Sequence, residues 1–598
     1  MTRNHFLDVE RSLSGRAWVD RLDARERGIA EAIHSTHGHD ELVARVLAGR
    51  GIDVDEAATF LEPRMRDLMV DPSTFADMDA AASRLADAVE RGESVAIFGD
   101  YDVDGATSSA LLARALRFYG LDPRIYIPDR IFEGYGPNPA AITELVDDGA
   151  TLIVTVDCGS SSTETLALAK EKGADVVVFD HHQVGDPHLP VAAHVNPNRE
   201  DDLSGQGFLS AAGVVFMGLV ALNREMKRRS ATRAQPDLKA LLDIVALGTV
   251  CDVVPLRGVN RAFVVNGLAG MRRHANRGLA ALGRVARQNG PPTPYHLGFL
   301  LGPRINAGGR IGDAALGARL LTTDDAEEAE RIAIQLDGLN RERQRMEREM
   351  LRQAVEEAEA EIGLGEGPPV LVTGREDWHP GVVGLLASRL KDRFARPAFA
   401  IAFGQGGVGT ASGRSVAGVD LGRLVRKAKT EGLIEKGGGH AMAAGLTVTR
   451  DKLADLRTFL EAEATKAGAD PARAESLRID GATTARGASP RFVDMVERAG
   501  PYGAGHDRPV FALPNHTVAF ARAAKGTHVS FSLRSRDGAT VRGIAFNAAD
   551  TPMGEALLNE VGGTFHVAGT LENEFYQGRS QVKLRLRDLA RPPDGGRP

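Results

Sequence analysis

The chain has 598 residues, and at about 150 residues per domain this length predicts roughly four structural units rather than one core. Hydrophobic residues make up 43% of the chain and charged residues 26%, which excludes a largely disordered protein. The formal net charge of −7 excludes a uniformly basic surface, but it is compatible with one basic groove beside an acidic site.

The two cysteines, Cys158 and Cys251, are too few for a disulfide framework or a structural zinc site. We interpret both as small buried residues rather than as metal ligands or redox groups. The N-terminal sequence lacks an apolar signal segment, and no uninterrupted apolar run of about 18 residues occurs. These features predict a cytoplasmic protein without a membrane segment.

Residues 1–70 are expected to form an N-terminal helical region, followed by an α/β domain over residues 71–321. In this domain short apolar runs alternate with helical stretches; the runs are SVAIFGD, RIYIP, TLIVTVD and DVVVFD. Runs that are apolar on both faces and rich in Val and Ile predict a parallel sheet covered by helices. Functional residues are then expected at the carboxyl ends of the strands.

The first strand ends in three alternating aspartates, Asp100, Asp102 and Asp104, within GDYDVDG. Repulsion raises the pKa values of such close carboxylates unless a cation neutralises them, and Mg²⁺ or Mn²⁺ prefers these oxygen ligands. An ordinary capped turn remains an alternative for this motif taken alone. An EF-hand is excluded, because a strand precedes the motif and no glutamate stands at the required later position.

Further potential ligands follow the next apolar runs. Asp157 ends TLIVTVD, and Asp180 ends DVVVFD and is followed by His181 and His182. Asp252 follows the apolar run ALGTVC and gives a further acidic position. Packing does not explain this repetition, so the sequence predicts one centre for divalent cations at this edge of the sheet.

A strongly charged segment is predicted to form one long connecting helix over residues 322–364. It opens with Thr322-x-x-Asp325, which resembles a capping box. Apolar residues recur at helical intervals, at Ile332, Leu336, Leu339, Met346 and Met350. We expect one face to contact a core and the other to be solvated, with no catalytic residue on the helix.

The last third of the chain predicts two further domains. VLVTG, FAIAF and two glycine clusters indicate a second α/β domain over residues 365–474. Residues 475–590 are strand-rich, with five or six short strands that suit a small barrel, and residues 591–598 are a frayed tail. Aromatic and basic residues are interspersed in the barrel, namely Phe520, Phe531, Phe546, Phe565, Phe575, Tyr576, Arg522, Lys525, Arg534, Arg542 and Lys583.

The motifs together resemble those of the RecJ family of DHH phosphoesterases. The resemblance covers most of the chain and includes the aspartate-rich loop, DCG, DHH and DVVPL segments. Further segments similar to this family occur in the same order, namely FEGYGPN at 132–138, GPRINAGGRIGDA at 302–314, WHPGVVGLLASRL at 378–390, SGRS at 412–415 and GGGHAMAAG at 437–445. One departure is the GAGHDRP turn at 503–509, where the family usually carries a GxGNPxP-like sequence, so the role of this turn is open.

The resemblance implies a multidomain α/β protein, with a DHH catalytic domain, a connecting helix, a DHHA1 domain and a C-terminal OB-like barrel. It also implies a 5′→3′ exonuclease specific for single-stranded DNA that acts in recombination and repair. Two divalent cations, Mn²⁺ or Mg²⁺, would be held by Asp102, Asp104, Asp157, His181 and Asp252. Asp100, Asp180 and His182 would be additional ligands or their partners, and His182 is also expected to be catalytic.

Residues outside the metal centre are expected to bind the DNA. The candidates are Arg304, Asn306, Arg310, His379, Ser412, Arg414, Ser415 and His440. Arginine suits this task because its planar group binds two phosphate oxygens at once, although a structural ion pair is the alternative for each arginine. In the barrel, bases would stack on aromatic rings while basic side chains follow the phosphates.

The implied partners are single-stranded DNA, a single-strand-binding protein and a RecQ-type helicase, and the protein is expected to be a monomer. Two other functions stay open. One is a small-substrate DHH phosphoesterase, such as an oligoribonuclease, a pyrophosphatase or a cyclic-dinucleotide phosphodiesterase; the length and the barrel argue against it. The other is a catalytically inactive DNA-binding scaffold, which the complete acidic set disfavours because unneutralised carboxylates are costly.

Overall fold

The computed structural model describes residues 5–185, 188–273, 276–363, 365, 367–467, 476–524, 526–576 and 579–593. Lys525, the side chains of Phe575 and Tyr576, and residues 594–598 of the predicted tail lie outside the described residues. The chain divides into two compact units. One contains residues 1–69, 255–265 and 474–598, and the other contains residues 70–254 and 266–473. None of the described helices combines the length and apolar character needed to cross a lipid bilayer.

The strands are β1 (Trp18–Asp20), β2 (Val95–Gly99), β3 (Arg124–Tyr126), β4 (Leu152–Val156), β5 (Asp175–Phe179), β6 (Ala193–Val195), β7 (Leu371–Arg375), β8 (Ala398–Phe403), β9 (Val408–Arg414), β10 (Lys436–His440), β11 (Ala443–Thr449), β12 (Leu477–Ile479), β13 (Gly481–Ala482), β14 (Phe511–Ala524), β15 (His528–Arg534), β16 (Thr540–Ala545), β17 (Thr564–Tyr576) and β18 (Arg579–Ala590).

The α-helices are α1 (Ala24–His37), α2 (Glu41–Ala48), α3 (Val54–Leu61), α4 (Met65–Leu68), α5 (Met78–Arg91), α6 (Val103–Phe118), α7 (Pro139–Asp147), α8 (Thr163–Glu171), α9 (Ala211–Arg229), α10 (Leu242–Cys251), α11 (Gly258–Met271), α12 (Arg277–Val285), α13 (Gly302–Ile311), α14 (Leu316–Thr322), α15 (Ala326–Ile362), α16 (Val383–Phe394), α17 (Leu421–Thr430), α18 (Leu453–Lys466), α19 (Pro490–Arg498) and α20 (Pro552–Asn559).

The first sheet is entirely parallel, in the order β3-β2-β4-β5-β6. Every residue of β2 and β4 is buried, as expected for strands that helices cover on both faces. This confirms the parallel sheet that the apolar runs predict. A second sheet, in the order β10-β11-β9-β8-β7, has only its β7–β8 pair parallel and forms the second α/β domain.

The predicted connecting helix is present as α15, but its start differs from the prediction. Thr322 does not open a capping box, because it ends α14 and its hydroxyl donates to the Ala318 carbonyl at 2.9 Å. Asp325 caps α15 instead, since its carboxylate accepts from the amides of Glu327 at 2.8 Å and Glu328 at 3.1 Å. The helix therefore begins after Asp325.

The C-terminal strands form a closed barrel in which β14, β15, β16, β18 and β17 follow one another and β17 pairs back to β14. Two strands predicted at 508–513 and 516–523 are one continuous strand, β14. The register of β14 against β17 shifts between Leu513 and His516, where Asn515 has a φ of 54°. This irregularity bends the strand without ending its pairing.

The N-terminal helices share one hydrophobic core with the barrel. Ile33 of α1 and Leu47 of α2 belong to the same buried cluster as Val493, Leu513 and Phe531. Strand β1 also pairs in parallel with β12, which directly precedes the barrel. The sequence predicts a helical region over residues 1–70, but it gives no sign of this shared core or of strand β1.

Candidate metal centre

The centre lies where three buried strands of the parallel sheet end. Gly99 aligns with Val156, and Val156 aligns with Phe179, so these strand ends are in register. The next residues along the chain are Asp100, Asp157 and Asp180, which places all three at one edge, as the sequence predicts.

Three overlapping groups of side chains have ligand atoms within 4.8 Å of one another. The groups are Asp157 with His181 and His182, Asp104 with His181 and Asp252, and Asp100 with Asp102 and Asp157. Every candidate ligand predicted from the sequence except Asp180 belongs to one of them. The fold therefore brings together residues that are up to about 150 positions apart in the chain.

Two helix N-termini hold the aspartate-rich loop. Asp102 caps α6 and accepts from the amides of Asp104 and Gly105 at 2.8 and 3.1 Å. The carboxylate of Asp104 accepts from the first amides of α9, those of Ala211 at 2.6 Å and Ala212 at 3.0 Å. Helix N-termini favour negative charge, so both carboxylates are oriented before any cation binds.

His181 presents a free ring nitrogen to this cluster. Its Nδ1 donates to the Leu209 carbonyl at 3.0 Å, because a carbonyl can only accept. The Nε2 lone pair then lies 3.3 Å from Asp157 Oδ1 and 3.9 Å from Asp104 Oδ2. Such a hydrogen bond on the far nitrogen is the usual arrangement of a metal-binding histidine.

Several buried polar atoms of the cluster have no hydrogen-bond partner among the described residues. They are His181 Nε2, Asp100 Oδ1 and Asp252 Oδ2. Leaving such atoms unsatisfied is costly, and a cation is the partner that lone pairs of carboxylate and imidazole require. The residues present thus fit divalent cations.

The electrostatics of the cluster lead to the same conclusion. Burial, followed by the charge of Asp102, raises the pKa of Asp104 to about 7. Burial, followed by the charges of Asp104 and Asp102, raises the pKa of Asp252 to about 9. The same causes raise the pKa of Asp157 well above its usual range. These carboxylates therefore favour their protonated forms unless a positive charge neutralises them.

Asp180 has a different environment from the other aspartates. It accepts from the amides of Ser160, His181 and His182 at 3.0, 2.8 and 3.2 Å, and it contacts His182 Nδ1 at 2.8 Å. Burial by itself raises its pKa, but the hydrogen bond with His182, the charges of His182 and His181 and the Ser160 amide together outweigh burial and hold the pKa well below the usual range. Asp180 is thus placed to orient His182 rather than to face the cluster.

Tyr135 and Arg130 also belong to the site; Tyr135 has no role predicted from the sequence beyond its place in the FEGYGPN segment, and Arg130 is not among the predicted residues. The Tyr135 hydroxyl lies 3.2 Å from the Asp157 carbonyl and 3.1 Å from His182 Nδ1. The Arg130 guanidinium lies 4.7 Å from the centre of the Tyr101 ring. Both residues follow β3, whose carboxyl end lies at the same edge of the sheet, and this position was the available signal.

A group of arginines lies next to the metal centre. Burial, followed by the charges of Arg130, Arg343 and Arg414, lowers the pKa of Arg310 to about 9. Arg310 donates to the Gly381 carbonyl at 3.0 Å. Crowded cations of this kind favour an anion between them, and phosphate matches the arrangement of guanidinium groups.

The remaining residues of the SGRS segment lie around Arg414. Its Nη1 donates to Ser412 Oγ at 3.0 Å and to the Gly413 carbonyl at 2.9 Å. Ser415 is buried and donates to the Val419 carbonyl at 2.6 Å, which stabilises the turn.

Arg304, Asn306, His379 and His440 are the other predicted DNA-binding residues. Arg304 forms an ion pair with Asp337 at 3.0 Å, which is the structural alternative noted for the arginines. Asn306 is half-buried on α13, and His379 accepts the amide of Gly381 through Nδ1 at 3.1 Å. His440 is exposed at the end of β10.

The two cysteines lie beside the centre; Cys158 is buried, as the sequence interpretation expects, whereas Cys251 is half-buried. The Cys158 thiol contacts the Val156 carbonyl at 3.4 Å, and the Cys251 thiol contacts the Leu297 carbonyl at 3.5 Å. Burial raises the pKa of both thiols, so neither favours the thiolate that binds metals.

The outer face of the barrel carries two rows of residues across β14, β15, β16 and β18, and all but one of them are polar or aromatic. The register defines the rows as Phe520, Ser532, Arg542 and Lys583, and Arg522, Ser530, Ile544 and Arg585. Phe520 and Phe546 are about half exposed, whereas Phe531 and Phe565 are core residues. The barrel therefore has exposed aromatic rings and cations on the same side.

Comparisons with known proteins agree with this architecture. Three family models match, namely the DHH family N-terminal domain at residues 94–249, the DHHA1 domain at residues 367–466 and the RecJ OB domain at residues 479–588. Their order is the order of the parallel-sheet domain, the second α/β domain and the barrel, which confirms the predicted fold class.

Individual relatives match most of the chain. The single-stranded-DNA-specific exonuclease RecJ of Bacillus subtilis (strain 168) is 32% identical over 570 residues, covering 94% of this chain and 69% of the relative. The protein of the same name from Escherichia coli (strain K12) is 35% identical over 506 residues, covering 82% and 86%. The crystal structure of RecJ in complex with Mn²⁺ from Thermus thermophilus superposes with a TM-score of 0.79 at 28% identity, covering 96% of this chain and 79% of that one. By sequence and by fold, the chain belongs to the RecJ family of DHH proteins.

Proposed function

We propose that this protein is a single-stranded-DNA-specific exonuclease that uses two divalent cations, Mn²⁺ or Mg²⁺, and degrades its substrate from the 5′ end. The observation that carries the proposal is the buried cluster of aspartates and histidines with unsatisfied ligand atoms. RecJ relatives have been solved with Mn²⁺ and with Mg²⁺, which supports the same cofactors here.

In this proposal the side chains of the metal centre have different roles. The cations would be held by Asp100, Asp102, Asp104, Asp157, His181, His182 and Asp252. When bound, two such cations activate water and neutralise the charge that develops on a phosphodiester. Asp180 fixes the ring of His182, and the Tyr135 hydroxyl, which donates to the Asp157 carbonyl, lies beside that ring.

The polarity of degradation is assigned to the arginine group. The metal centre treats all phosphodiesters alike, so preference for one end requires binding of that end. Burial, followed by the charge of Arg130, lowers the pKa values of both Arg310 and Arg414, so a phosphate beside these three arginines is favoured. We assign them to the terminal 5′ phosphate, with Asn306, His379, Ser412 and His440 along the strand. Arg304 contributes less, because Asp337 already pairs with it.

The wider setting is part of the same proposal. The barrel, predicted over residues 475–590, would bind a part of the strand that the active site does not hold. The proposal also includes a cytoplasmic location and a monomeric state. The protein would act beside a single-strand-binding protein and a RecQ-type helicase in recombination and repair.

The test incubates the protein with 5′-labelled single-stranded DNA, the corresponding duplex, a dinucleotide and pyrophosphate. Each substrate is tested with Mn²⁺ and with a chelator. We expect labelled mononucleotide from the single strand with Mn²⁺ only. Selective hydrolysis of the dinucleotide or pyrophosphate would instead favour a small-substrate phosphoesterase, and binding of DNA without hydrolysis would favour an inactive scaffold.

A further inference from the structure

Two exposed apolar side chains stand beside the metal centre. Phe132 is 87% exposed and the neighbouring Ile131 is 40% exposed. They lie in the segment that follows β3, between Arg130, which covers the Tyr101 ring, and Tyr135, which contacts His182. Exposure of one phenyl group is common in itself, but this ring shares its short loop with two residues of the site, which places it where a bound strand can reach it.

Hydrogen bonds fix the backbone that carries these side chains. One oxygen of Asp129 accepts from the amide of Ile131 at 2.7 Å and from the amide of Phe132 at 3.0 Å. The Asp129 carbonyl accepts from the amide of Glu133 at 2.8 Å, which closes the turn. The phenyl group therefore projects from a turn with a defined backbone.

The second half of the loop is equally well fixed. The carboxylate of Glu133 accepts from the Tyr126 hydroxyl at 2.8 Å and from the Asn138 amide group at 2.9 Å. Gly134 and Gly136 have φ values of 87° and 78°, which other residues rarely adopt. A ligand that contacts Phe132 would thus bind a preformed surface, with little loss of backbone entropy.

We propose that Phe132 is a stacking site for the base of a nucleotide that flanks the scissile phosphodiester. This inference rests on the proposed exonuclease function. An unpaired base exposes its flat face to an aromatic ring, whereas in duplex DNA neighbouring base pairs cover that face. The site would favour single strands without reading their sequence.

The size and place of the patch favour a base over a protein partner. Two adjacent side chains are far smaller than the roughly 800 Å² per partner that a stable protein interface buries. One phenyl ring, in contrast, matches one base. The patch also shares its short loop with Arg130 and Tyr135, so a strand that reaches the metal centre passes close to it.

The experiment compares the wild-type protein with Phe132→Ala on 5′-phosphorylated single strands. The strands are intact or carry one abasic site at the first, second or tenth nucleotide. On the intact strand we expect Phe132→Ala to reduce kcat/KM for the first cleavage by about 5- to 150-fold, the range for loss of one base stack. In the wild type, an abasic site at the first or second nucleotide should cause a similar loss.

The decisive comparison is the combination of both changes. In Phe132→Ala, an abasic site at the sensitive position should cause less than about a twofold further loss, because the stack is already absent. Phe132→Trp should retain activity and the sensitivity to abasic sites. Phe118→Ala is the matched control, since Phe118 is 49% exposed at the far end of α6 and should have no effect.

Three results would contradict the inference, and they can be told apart. If the wild type is active and an abasic site lowers kcat/KM by the same factor in Phe132→Ala as in the wild type, the stacking site alone is wrong. The same holds if Phe132→Ala has an unchanged kcat/KM on the intact strand. A wild-type protein that fails to degrade the intact strand would contradict the exonuclease function itself. Mn²⁺ affinity and melting temperature should be unchanged in Phe132→Ala, since the side chain is exposed.

Discussion

Two adjacent histidines of the metal centre acquire opposite properties from their surroundings. Burial, followed by the charge of His182, lowers the pKa of His181 to about 4 and keeps its ring neutral. Burial also acts on His182, but the hydrogen bond and charge of Asp180 outweigh it and raise the pKa. A neutral ring is the form that binds a metal, so His181 is ready to act as a ligand, whereas His182 must lose a proton before it binds a cation.

The first prediction concerns the ligands at this scale. Asp157→Ala or His181→Ala should reduce hydrolysis of single-stranded DNA by more than about a thousandfold, because each change removes a ligand rather than a packing residue. Folding and strand binding should be retained. The measurements are cleavage in Mn²⁺, calorimetric Mn²⁺ binding and anisotropy with a labelled strand.

Asp147→Ala provides the matched control for this prediction, because Asp147 ends α7 on the surface and its ion-pair contact with Lys172 is long, at 3.5 Å. Its hydrolysis and Mn²⁺ binding should equal those of the wild type. Wild-type turnover by either ligand variant, in preparations free of other nucleases, would show that the site is assigned to the wrong residues.

His506 shows what the diverged GAGHDRP turn contributes. Its ring is buried, stacks on Tyr502 at 5.0 Å, meets Phe60 edge-on at 4.9 Å, and donates from Nε2 to the Ala499 carbonyl at 2.8 Å. Burial, followed by the charge of Arg261, lowers its pKa from 6.5 to about 3. The turn thus has a packing role in its own unit, which the sequence left open.

The second prediction follows from this pKa. Between pH 6.5 and 3 the unfolded chain binds a proton at His506 that the folded protein excludes, so stability is present above pH 6.5 and falls as the pH falls. At pH 5 the loss from this group should be about 2 kcal/mol. His506→Gln should remove this part of the pH dependence.

The measurement uses the two tryptophans of the chain, Trp18 and Trp378. In a Trp378→Phe background, the buried Trp18 reports urea unfolding of the unit that contains His506. The fall in unfolding free energy from pH 7 to pH 5 should be larger with His506 than with His506→Gln. Equal falls in the two proteins would contradict a depressed pKa.

The sequence could predict a site residue only where the pattern of its immediate neighbours indicates its position. Asp100, Asp157 and His181 follow apolar strands directly, so their convergence follows from the rules of parallel sheets. The role of Tyr135 depends on the geometry of a loop, and Arg304 pairs with Asp337, which lies on another helix. Neither contact has a signature in the local pattern.

At the scale of elements, α15 shows why its length was predictable and its start was not. The apolar spacing extends over the whole helix, but both Thr322 and Asp325 are acceptable caps by residue type. Only the preceding helix α14, which includes Thr322, decides between them. The bend at Pro514 and Asn515 in β14 is similar, since both residues usually end a strand, yet pairing with β17 continues past them.

The third prediction tests the cap of α15. Asp325→Ala should destabilise the first turn, because the amides of Glu327 and Glu328 lose their acceptor. Hydrogen exchange followed by mass spectrometry should show faster exchange at the start of α15 and unchanged exchange in the parallel sheet. Asp325→Ser restores an acceptor and should restore slow exchange; unchanged exchange in Asp325→Ala would contradict the cap.

At the scale of the whole molecule, the sequence predicted the order of the domains better than their packing. Each domain has a local pattern, whereas the shared core of the N-terminal helices and the barrel joins segments that lie more than about 400 residues apart. Deleting the barrel would therefore uncover Ile33 and Leu47 of the N-terminal helices. Point substitutions on the barrel surface test its function without this damage.

The fourth prediction uses such substitutions on the outer rows of the barrel. Lys583 and Arg585 pair with Glu574 and Glu572, whereas Arg522 and Arg542 have no ion-pair partner among the described residues. Each phosphate contact that is lost should lower the slope of log affinity against log salt by about 1. Arg522→Ala and Arg542→Ala should therefore weaken binding of long single strands and flatten this slope.

The aromatic part of the same face should behave differently. Phe520→Ala removes a ring and no charge, so it should weaken long-strand binding while leaving the salt slope unchanged. Arg25→Ala, which changes an exposed arginine on α1 in the same unit, is the control for loss of one positive charge and should change neither quantity.

All these variants should cleave a short oligonucleotide at the wild-type rate, because the metal centre is intact. Affinities are measured by anisotropy in chelator at several salt concentrations. If Arg522→Ala, Arg542→Ala and Phe520→Ala all bind a long strand like the wild type at every salt concentration, the strand does not bind this face of the barrel.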